Sequence, residues 1–322
     1  MDVVNLPSYL KTTWDFLAKH SVDGVLGAID FHAEQAGPTV GITIMTHGDE
    51  PAGLAAVHYF LQQKPLNQIL RRGRVVFLIN NLEASRRFWA AACLEDVRAS
   101  RFVDVNMNRL PFADLQGRTY EEQRALEVLP VWRTFDYALD IHSTTQPTRP
   151  MVIVGRGPEA FKLCRTFDMD TVLENMLNVQ LGMPAIAFYG HGATSTLGVE
   201  VGGHYSEQSL RRSVQTVVEF LEALDMIPAL SQDLGYEREF SDAYSYYVYD
   251  ALVLHHPEAE LSRVFLDFEN VRAGDVLARD PEREYCATED GHVLFAPPQT
   301  RIMYPGEEAL FLLKRRVKFE RG

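Results

Sequence analysis

Val40-Gly41-Ile42-Thr43-Ile44-Met45-Thr46-His47-Gly48-Asp49-Glu50-Pro51 begins as an apolar, β-branched run and ends in a polar turn carrying a histidine and a carboxylate three residues apart. The run has the length and composition of a buried strand. Pro51 suits a first helical turn, and apolar residues recur at helical spacing from Pro51 to Gln63. Strand, short turn and helix in succession form the unit from which α/β sheets are built.

The same texture repeats on either side. Strands are expected over Thr39–Met45, Arg74–Asn80, Tyr137–Ile141, Met151–Val154, Pro184–Phe188 and Leu197–Val201, and helices over Pro51–Gln63, Tyr120–Val128, Pro158–Phe167 and Ser206–Leu224. This alternation predicts an α/β domain with a mixed, mainly parallel sheet flanked by helices. After Ile227-Pro228 the chain changes to short apolar runs punctuated by Gly and Pro: Tyr246–Leu254, Ser262–Phe268, Asp275–Ala278, His292–Ala296 and Ala309–Lys314. A boundary is placed between residues 1–228, the α/β domain, and residues 229–322, a smaller all-β domain.

The second chemistry-bearing segment is Asp140-Ile141-His142-Ser143-Thr144, which again follows an apolar run. Catalytic zinc commonly takes three protein ligands, with histidine nitrogen and carboxylate oxygen both suitable, and keeps one position for water. His47 and Glu50 can converge from one turn, in which Gly48 is expected to let the backbone bend tightly, and His142 can approach from the end of a second strand. Sites at the carboxyl ends of strands are the expected location in open α/β sheets. Taken alone, His-x-x-Glu is a weak signal in a chain with 10 His.

The rest of the pattern is more specific. His47-Gly48-Asp49-Glu50, Asp140-Ile141-His142, Arg101-Phe102-Val103-Asp104-Val105-Asn106-Met107-Asn108-Arg109 and Val199-Glu200-Val201-Gly202 occur in that order, and together they resemble the succinylglutamate desuccinylase/aspartoacylase family, a branch of the zinc carboxypeptidase-like fold. The resemblance implies one Zn²⁺ held by His47, Glu50 and His142. It also implies Glu200 as general base and then acid, Arg101 polarising the scissile carbonyl, and Asn108 with Arg109 holding a substrate carboxylate. The tail from about residue 230 resembles the barrel-sandwich β-domain of many members, here expected to form a pocket wall or a surface for assembly into a homo-oligomer. Ser143, Thr144 and His191 are further candidate substrate contacts, and His204 lies close to Glu200 in sequence.

Two departures bear on function. Asn106 stands where characterised members carry Asp, which removes a charge but keeps a hydrogen-bond acceptor. Gly190 stands where the aspartoacylase branch has an arginine for a second carboxylate, so N-acetylaspartate is not the expected substrate. A tyrosine that this branch contributes from its C-terminal domain has no clear match near Tyr304-Pro305.

Composition narrows the remaining classes. At 322 residues and 46% hydrophobic content the chain can bury a substantial core. Its 31 basic against 44 acidic residues give a formal charge of −13, which repels phosphate backbones and anionic lipid, so neither nucleic acid nor membrane is an expected partner. Cys93, Cys164 and Cys286 form neither a disulfide framework nor a zinc knuckle and fit a reducing, cytoplasmic setting. The expected function is a zinc-dependent amidohydrolase that removes an acyl group from an N-acyl amino acid or related small amide by metal-activated water. Its small-molecule substrate carries a carboxylate. A zinc carboxypeptidase for short peptides or cell-wall fragments and a catalytically silent metal-binding protein are the alternatives.

Overall fold

The computed structural model describes residues 4–181, 185, 194–235, 240–299 and 305–320. Its backbone is organised by one mixed sheet of 11 strands among the described residues. From edge to edge these are Ala28–His32, Arg72–Ile79, Gln35–Ile44, Tyr137–Thr144, Ser195–Gly203, Met151–Val154, Thr171–Glu174, Asp242–Val253, Glu308–Glu320, Gly291–Leu294 and Asn270–Val271. The Arg72, Gln35, Tyr137 and Ser195 strands run parallel to one another. Met151–Val154 runs antiparallel to Ser195–Gly203, and the Glu308, Gly291 and Asn270 strands close the far edge antiparallel.

Period-2 alternation explains both faces. On one face Val40, Ile42 and Ile44 join Leu139, Ile141, Leu197, Val199 and Val201 in a fully apolar layer. The helix Glu207–Ala223 covers it with Leu210, Val214, Val217, Val218 and Leu221, and Ser8–Leu17 adds Leu10, Trp14 and Leu17. Ser206 starts the longer helix by accepting from the backbone N–H of Ser209 at 3.0 Å, which satisfies one of its free amides. On the other face Val76, Leu78 and Ala138 pack under Val128, Val131, Trp132 and Phe135, but toward the carboxyl ends of the central strands the same face turns polar. Asp140, His142 and Glu200 all lie there, because Asp140 pairs with Gly198 and His142 with Glu200 in the parallel register.

Most expected elements are present with moved ends. Met151–Val154 is unchanged, and the Ser206–Leu224 helix loses one residue at each end. The helix expected over Pro51–Gln63 is α-helical from Gly53 to His58 and then widens, the Lys64 N–H reaching back to the Tyr59 carbonyl. Ser262–Phe268 is not a strand; the strand ends at Leu261, and the next turns are tied by an Arg263–Glu269 ion pair of 2.7 Å and by Arg263 stacked over Phe265. The strand expected over Pro184–Phe188 lies almost wholly outside the described residues.

The C-terminal third is strand-rich, with its own cluster of Leu254, Leu261, Phe265, Leu277, Val293 and Leu310 and a separate three-stranded sheet. Its long strands nevertheless continue the main sheet. Asp242–Val253 pairs parallel with Thr171–Glu174, and Tyr246, Val248, Phe311 and Leu313 join the core under Trp132. No helix among the described residues is long and apolar enough to cross a membrane.

Candidate metal centre and active site

Glu50 sits between two imidazoles. Its Oε1 lies 2.7 Å from Nδ1 of His47, and its Oε2 lies 2.8 Å from Nδ1 of His142. All three side chains are buried, and their ligand atoms lie within 4.8 Å of one another. The turn that delivers His47 and Glu50 leaves its strand at Met45, whose φ of 50° puts a non-glycine residue in the left-handed region. The bend thus falls at Met45 and not at Gly48.

Gly48 is needed for a different reason: a Cβ there would overlap backbone atoms of Ser100 and Ala84. Its N–H donates to the Arg101 carbonyl at 2.9 Å, tying the metal turn to the segment that carries Arg101. Gly48→Ala is therefore expected to cost about 1–3 kcal/mol of stability through overpacking and to weaken divalent-ion affinity. Denaturant unfolding and a metal titration on the same protein check it; unchanged values would mean that the two segments do not need this close approach.

Each imidazole is aimed by its second nitrogen. Nε2 of His142 lies 3.0 Å from Oδ2 of Asp140, a carboxylate itself fixed by Thr43 (2.8 Å) and Thr46 (3.0 Å). Asn106 donates through Nδ2 to Glu307 at 3.3 Å, and its Oδ1 accepts from the Asn108 N–H at 3.0 Å. That orientation leaves Oδ1 to accept from Nε2 of His47 at 3.2 Å. So the amide at position 106 orients a proposed metal ligand, and both histidines turn Nδ1 toward Glu50.

The electrostatics suit a cation. Burial, with Arg101 adding to it, lowers His47 to about 4, so its ring is neutral and offers a lone pair. Burial alone would raise Glu50, but the two histidines hold it well below the usual carboxylate range. His142 is raised well above an ordinary histidine because Asp140 and Glu50 outweigh its burial. A neutral His47 facing an ionised Glu50 across 2.7 Å sets two electron-pair donors against each other. A shared cation resolves that conflict, and the two-histidine, one-carboxylate set fits zinc.

Around this cluster lies a cavity of about 330 Å³, lined by Arg101, Asn108, Arg109, Glu200 and segments of the C-terminal third. Glu200 is placed beside His142 by strand register, and its Oε2 is buried without a hydrogen-bond partner among the described residues. Burial raises its carboxyl well above the usual range, with Glu50 and Asp267 adding to the shift and His142 and Arg101 opposing it. Arg101 reaches Oε1 of Glu50 at 3.1 Å and lies 3.8 Å from Asp49. Arg109 donates from Nε to Glu308 at 2.6 Å and from one amino group to the Asn108 carbonyl at 3.0 Å. The Asn108 side chain accepts from the Ala185 N–H at 3.0 Å and lies 3.4 Å from Nε2 of His142.

Ser143 and Thr144 line the cavity, but both hydroxyls have protein partners, His204 Nδ1 at 2.9 Å and the Gln146 carbonyl at 2.6 Å. His191, Gly190 and Tyr304 lie outside the described residues. Glu121 was not anticipated: fully buried, it accepts from the N–H groups of Val103 (2.6 Å), Asp104 (3.1 Å) and Val105 (3.2 Å), clamping the turn between Arg101 and Asn106. Asp267, Glu307 and Glu308 also reach the cavity. Nothing local in sequence marks them, since their partners lie far away along the chain.

His204, with Asp49 and Glu50, forms a second group of closely spaced ligand atoms, but its two nitrogens face the hydroxyls of Ser143 and Thr145 at 2.9 and 3.2 Å. Burial lowers it to about 4, whereas an unfolded histidine takes up its proton near 6.5. Between these values the unfolded chain binds a proton that the folded chain refuses. The stability contributed by a neutral His204 is whole above about 6.5 and falls by roughly 1.4 kcal/mol per unit as pH drops toward 4. Denaturant midpoints from pH 7 to 4 are expected to decline less steeply in His204→Gln; equal slopes would assign the decline to other groups.

Residues 36–224, more than half of the chain, match the family model described as the succinylglutamate desuccinylase/aspartoacylase catalytic domain. No curated protein sequence matches significantly. Among solved structures, the chain is similar to a succinylglutamate desuccinylase/aspartoacylase from Rhodobacter sphaeroides (TM-score 0.64, 18% identity, 90% of this chain and 88% of that one). It is also similar to the ectoine utilization protein EutE from Ruegeria pomeroyi (0.62, 20%, 91% and 92%) and to succinylglutamate desuccinylase from Vibrio parahaemolyticus (0.64, 18%, 95% and 94%). With the motif segments gathered around the carboxyl ends of the central strands and the matched region spanning more than half of the chain, the chain belongs to the succinylglutamate desuccinylase/aspartoacylase family, whose named members are deacylases.

Proposed function

We propose that the protein is a zinc-dependent amidohydrolase that removes the acyl group from an N-acyl amino acid or a related small amide. The observation that carries this reading is the convergence of both Nδ1 atoms on Glu50, with an unpartnered Glu200 oxygen on the adjacent strand. His47, Glu50 and His142 would hold the ion, which supplies an acidified water and a Lewis acid for the scissile carbonyl. Glu200 accepts the proton of the attacking water and returns it to the leaving nitrogen as the C–N bond breaks, so the products are a carboxylic acid and a free amine.

Arg101 stands at the edge of the cluster, where its guanidinium can take the charge that develops on the carbonyl oxygen. Asn108 and the second amino group of Arg109, which has no protein partner among the described residues, are the proposed anchors for a substrate carboxylate. Residues 229–322 would act as a pocket wall and Ser143, Thr144 and His191 as further contacts, in a cytoplasmic enzyme. Cavity size favours a small amide over a peptide: about 330 Å³ is at the low end for ligand pockets, and Phe295 to Gln299 and Glu307 to Ala309 wall it.

The test is amine release from a panel of N-acyl amino acids by protein stripped with chelator and reloaded with Zn²⁺. Turnover that disappears on stripping and returns with zinc is expected. Stoichiometric metal with no amine released from any acyl amino acid or short peptide would favour the catalytically silent reading.

A further inference from the structure

The parallel strands Tyr137–Thr144 and Ser195–Gly203 keep a one-to-one register from Tyr137 opposite Ser195 to His142 opposite Glu200. The register then slips. Thr144 lies opposite Gly203, so three steps along the Glu200 strand face two steps along the His142 strand. Gly202 lies inside the slip with a φ of 110°, and a Cβ there would come within 2.9 Å of Oγ of Ser209. The irregularity falls immediately after the residue proposed as general base. Regular pairing therefore fixes the Glu200 backbone on one side only, and its buried Oε2 has no hydrogen-bond partner among the described residues to aim it.

His204 fastens the strand beyond the slip. Its N–H donates to the Thr144 carbonyl at 2.9 Å, its Nδ1 lies 2.9 Å from Oγ of Ser143, and its Nε2 lies 3.2 Å from Oγ1 of Thr145. One residue thus grips three successive residues that follow His142. A hydroxyl can give or take a hydrogen bond, so either neutral tautomer of the ring is served. The Ser143 N–H in turn donates to Oε2 of Glu50 at 3.3 Å, which carries the same grip to a proposed metal ligand. Ser143, Thr144 and Thr145 line the cavity whereas the buried His204 does not, so the imidazole stands behind the wall and acts only through the groups it holds.

We propose that His204 is a positioning residue for Glu200: it pins the slipped strand end against Ser143, Thr144 and Thr145 and so sets where the carboxylate stands relative to His142. The inference rests on the deacylase reading above and adds a residue to its machinery. A proton acceptor must stand within hydrogen-bond reach of the attacking water, and a misplacement of about 1 Å caused by a change outside the chemistry can cost about 10²-fold in rate. A buried clamp beside an irregular register supplies that precision.

The test measures steady-state kinetics and zinc content of the zinc-loaded full chain with Nα-acetyl and Nα-succinyl amino acids bearing basic, neutral and acidic side chains. His204→Ala is expected to lower kcat about 10–100-fold with KM and bound zinc unchanged. His204→Asn, whose amide can meet Ser143 from the place of Nδ1, should recover part of that loss. The decisive variant combines His204→Ala with Glu200→Gln: because His204 acts through Glu200, the pair should turn over no more slowly than Glu200→Gln alone. Ser143→Ala keeps the ring but removes one of its anchors, so it should lower kcat less and again add nothing to Glu200→Gln; it keeps the test valid should His204→Ala fold poorly. Wild-type kcat in His204→Ala and Ser143→Ala, a loss that falls on KM or on zinc content, or a loss of equal size in the Glu200→Gln background overturns the inference, while turnover by the wild-type protein leaves the deacylase reading intact. No turnover of any of these amides by the zinc-loaded wild-type protein defeats the deacylase reading itself, and this inference with it.

Discussion

Replacing Glu200 with Gln is expected to lower turnover by about 10²–10⁴-fold while the protein keeps its fold and one divalent ion per chain. The substitution conserves shape and leaves the strand pairing of position 200 with His142 in place, but an amide cannot accept a proton from water or pass one to a leaving amine. Because the proposed metal ligands are untouched, metal analysis of the variant should match wild type, and the loss should fall on kcat more than on KM. The pH profile adds a second readout. Burial, reinforced by Glu50 and Asp267, raises the Glu200 carboxyl, while the neighbouring cationic groups pull it down. The base form therefore gains population as pH rises, so kcat/KM of wild type should climb on its acid side. The residual activity of the variant should lack that limb. Equal turnover by both proteins would remove Glu200 from the mechanism.

Glu50→Ala is expected to abolish stable metal retention and turnover together. Both imidazoles are directed at this carboxylate, and the Ser143 N–H also donates to it at 3.3 Å. Loss of an outer partner alone typically weakens a metal site about 10–100-fold, so loss of a ligand should exceed about 100-fold and leave well under one equivalent after dialysis. Removing the carboxylate also withdraws one of the two groups that raise His142, leaving Asp140 alone against its burial, so that imidazole should become less basic. The folded state can be checked by circular dichroism, since Glu50 contributes to no apolar cluster. A variant that kept a full equivalent of tightly bound ion would move the metal away from His47 and His142.

Much of the fold was legible because local pattern and final environment agree. Val40 to Ile44 is buried on both faces, which is why it reads as a nearly continuous apolar run, whereas Leu197 to Val201 alternates, with Leu197, Val199 and Val201 in the apolar layer and Gly198 and Glu200 on the face that carries the site. The His47–Glu50 spacing was legible because one turn delivers both residues, and the Asp140–His142 spacing because residues two apart on a strand share a face. The joining of these segments to Glu200 needed the register between two strands that are distant along the chain, which the ordered motifs supplied through family resemblance and not through periodicity.

What could not be read is what depends on long-range approach. Gly48 looked like a turn residue, whereas it is small because the Ser100 and Ala84 backbones lie against it. Thr171–Glu174 is too short to stand out from its flanks, yet it carries the sheet into the C-terminal third. The change of texture after Ile227-Pro228 is visible in sequence, but which edge Asp242–Val253 would join is not, and it joins the main sheet. Glu121, Asp267, Glu307 and Glu308 are unremarkable locally and acquire roles only through contacts with distant residues.

The central claim is that His47, Glu50 and His142 share one catalytic ion. Crystals of the zinc-loaded protein measured on both sides of the zinc absorption edge test it directly. The account predicts one strong anomalous peak per chain at about 2.0–2.2 Å from Nδ1 of His47, Nδ1 of His142 and a Glu50 oxygen. No peak there, or a peak held by Asp49 and His204 with His47 and His142 still closed on Glu50, would contradict it.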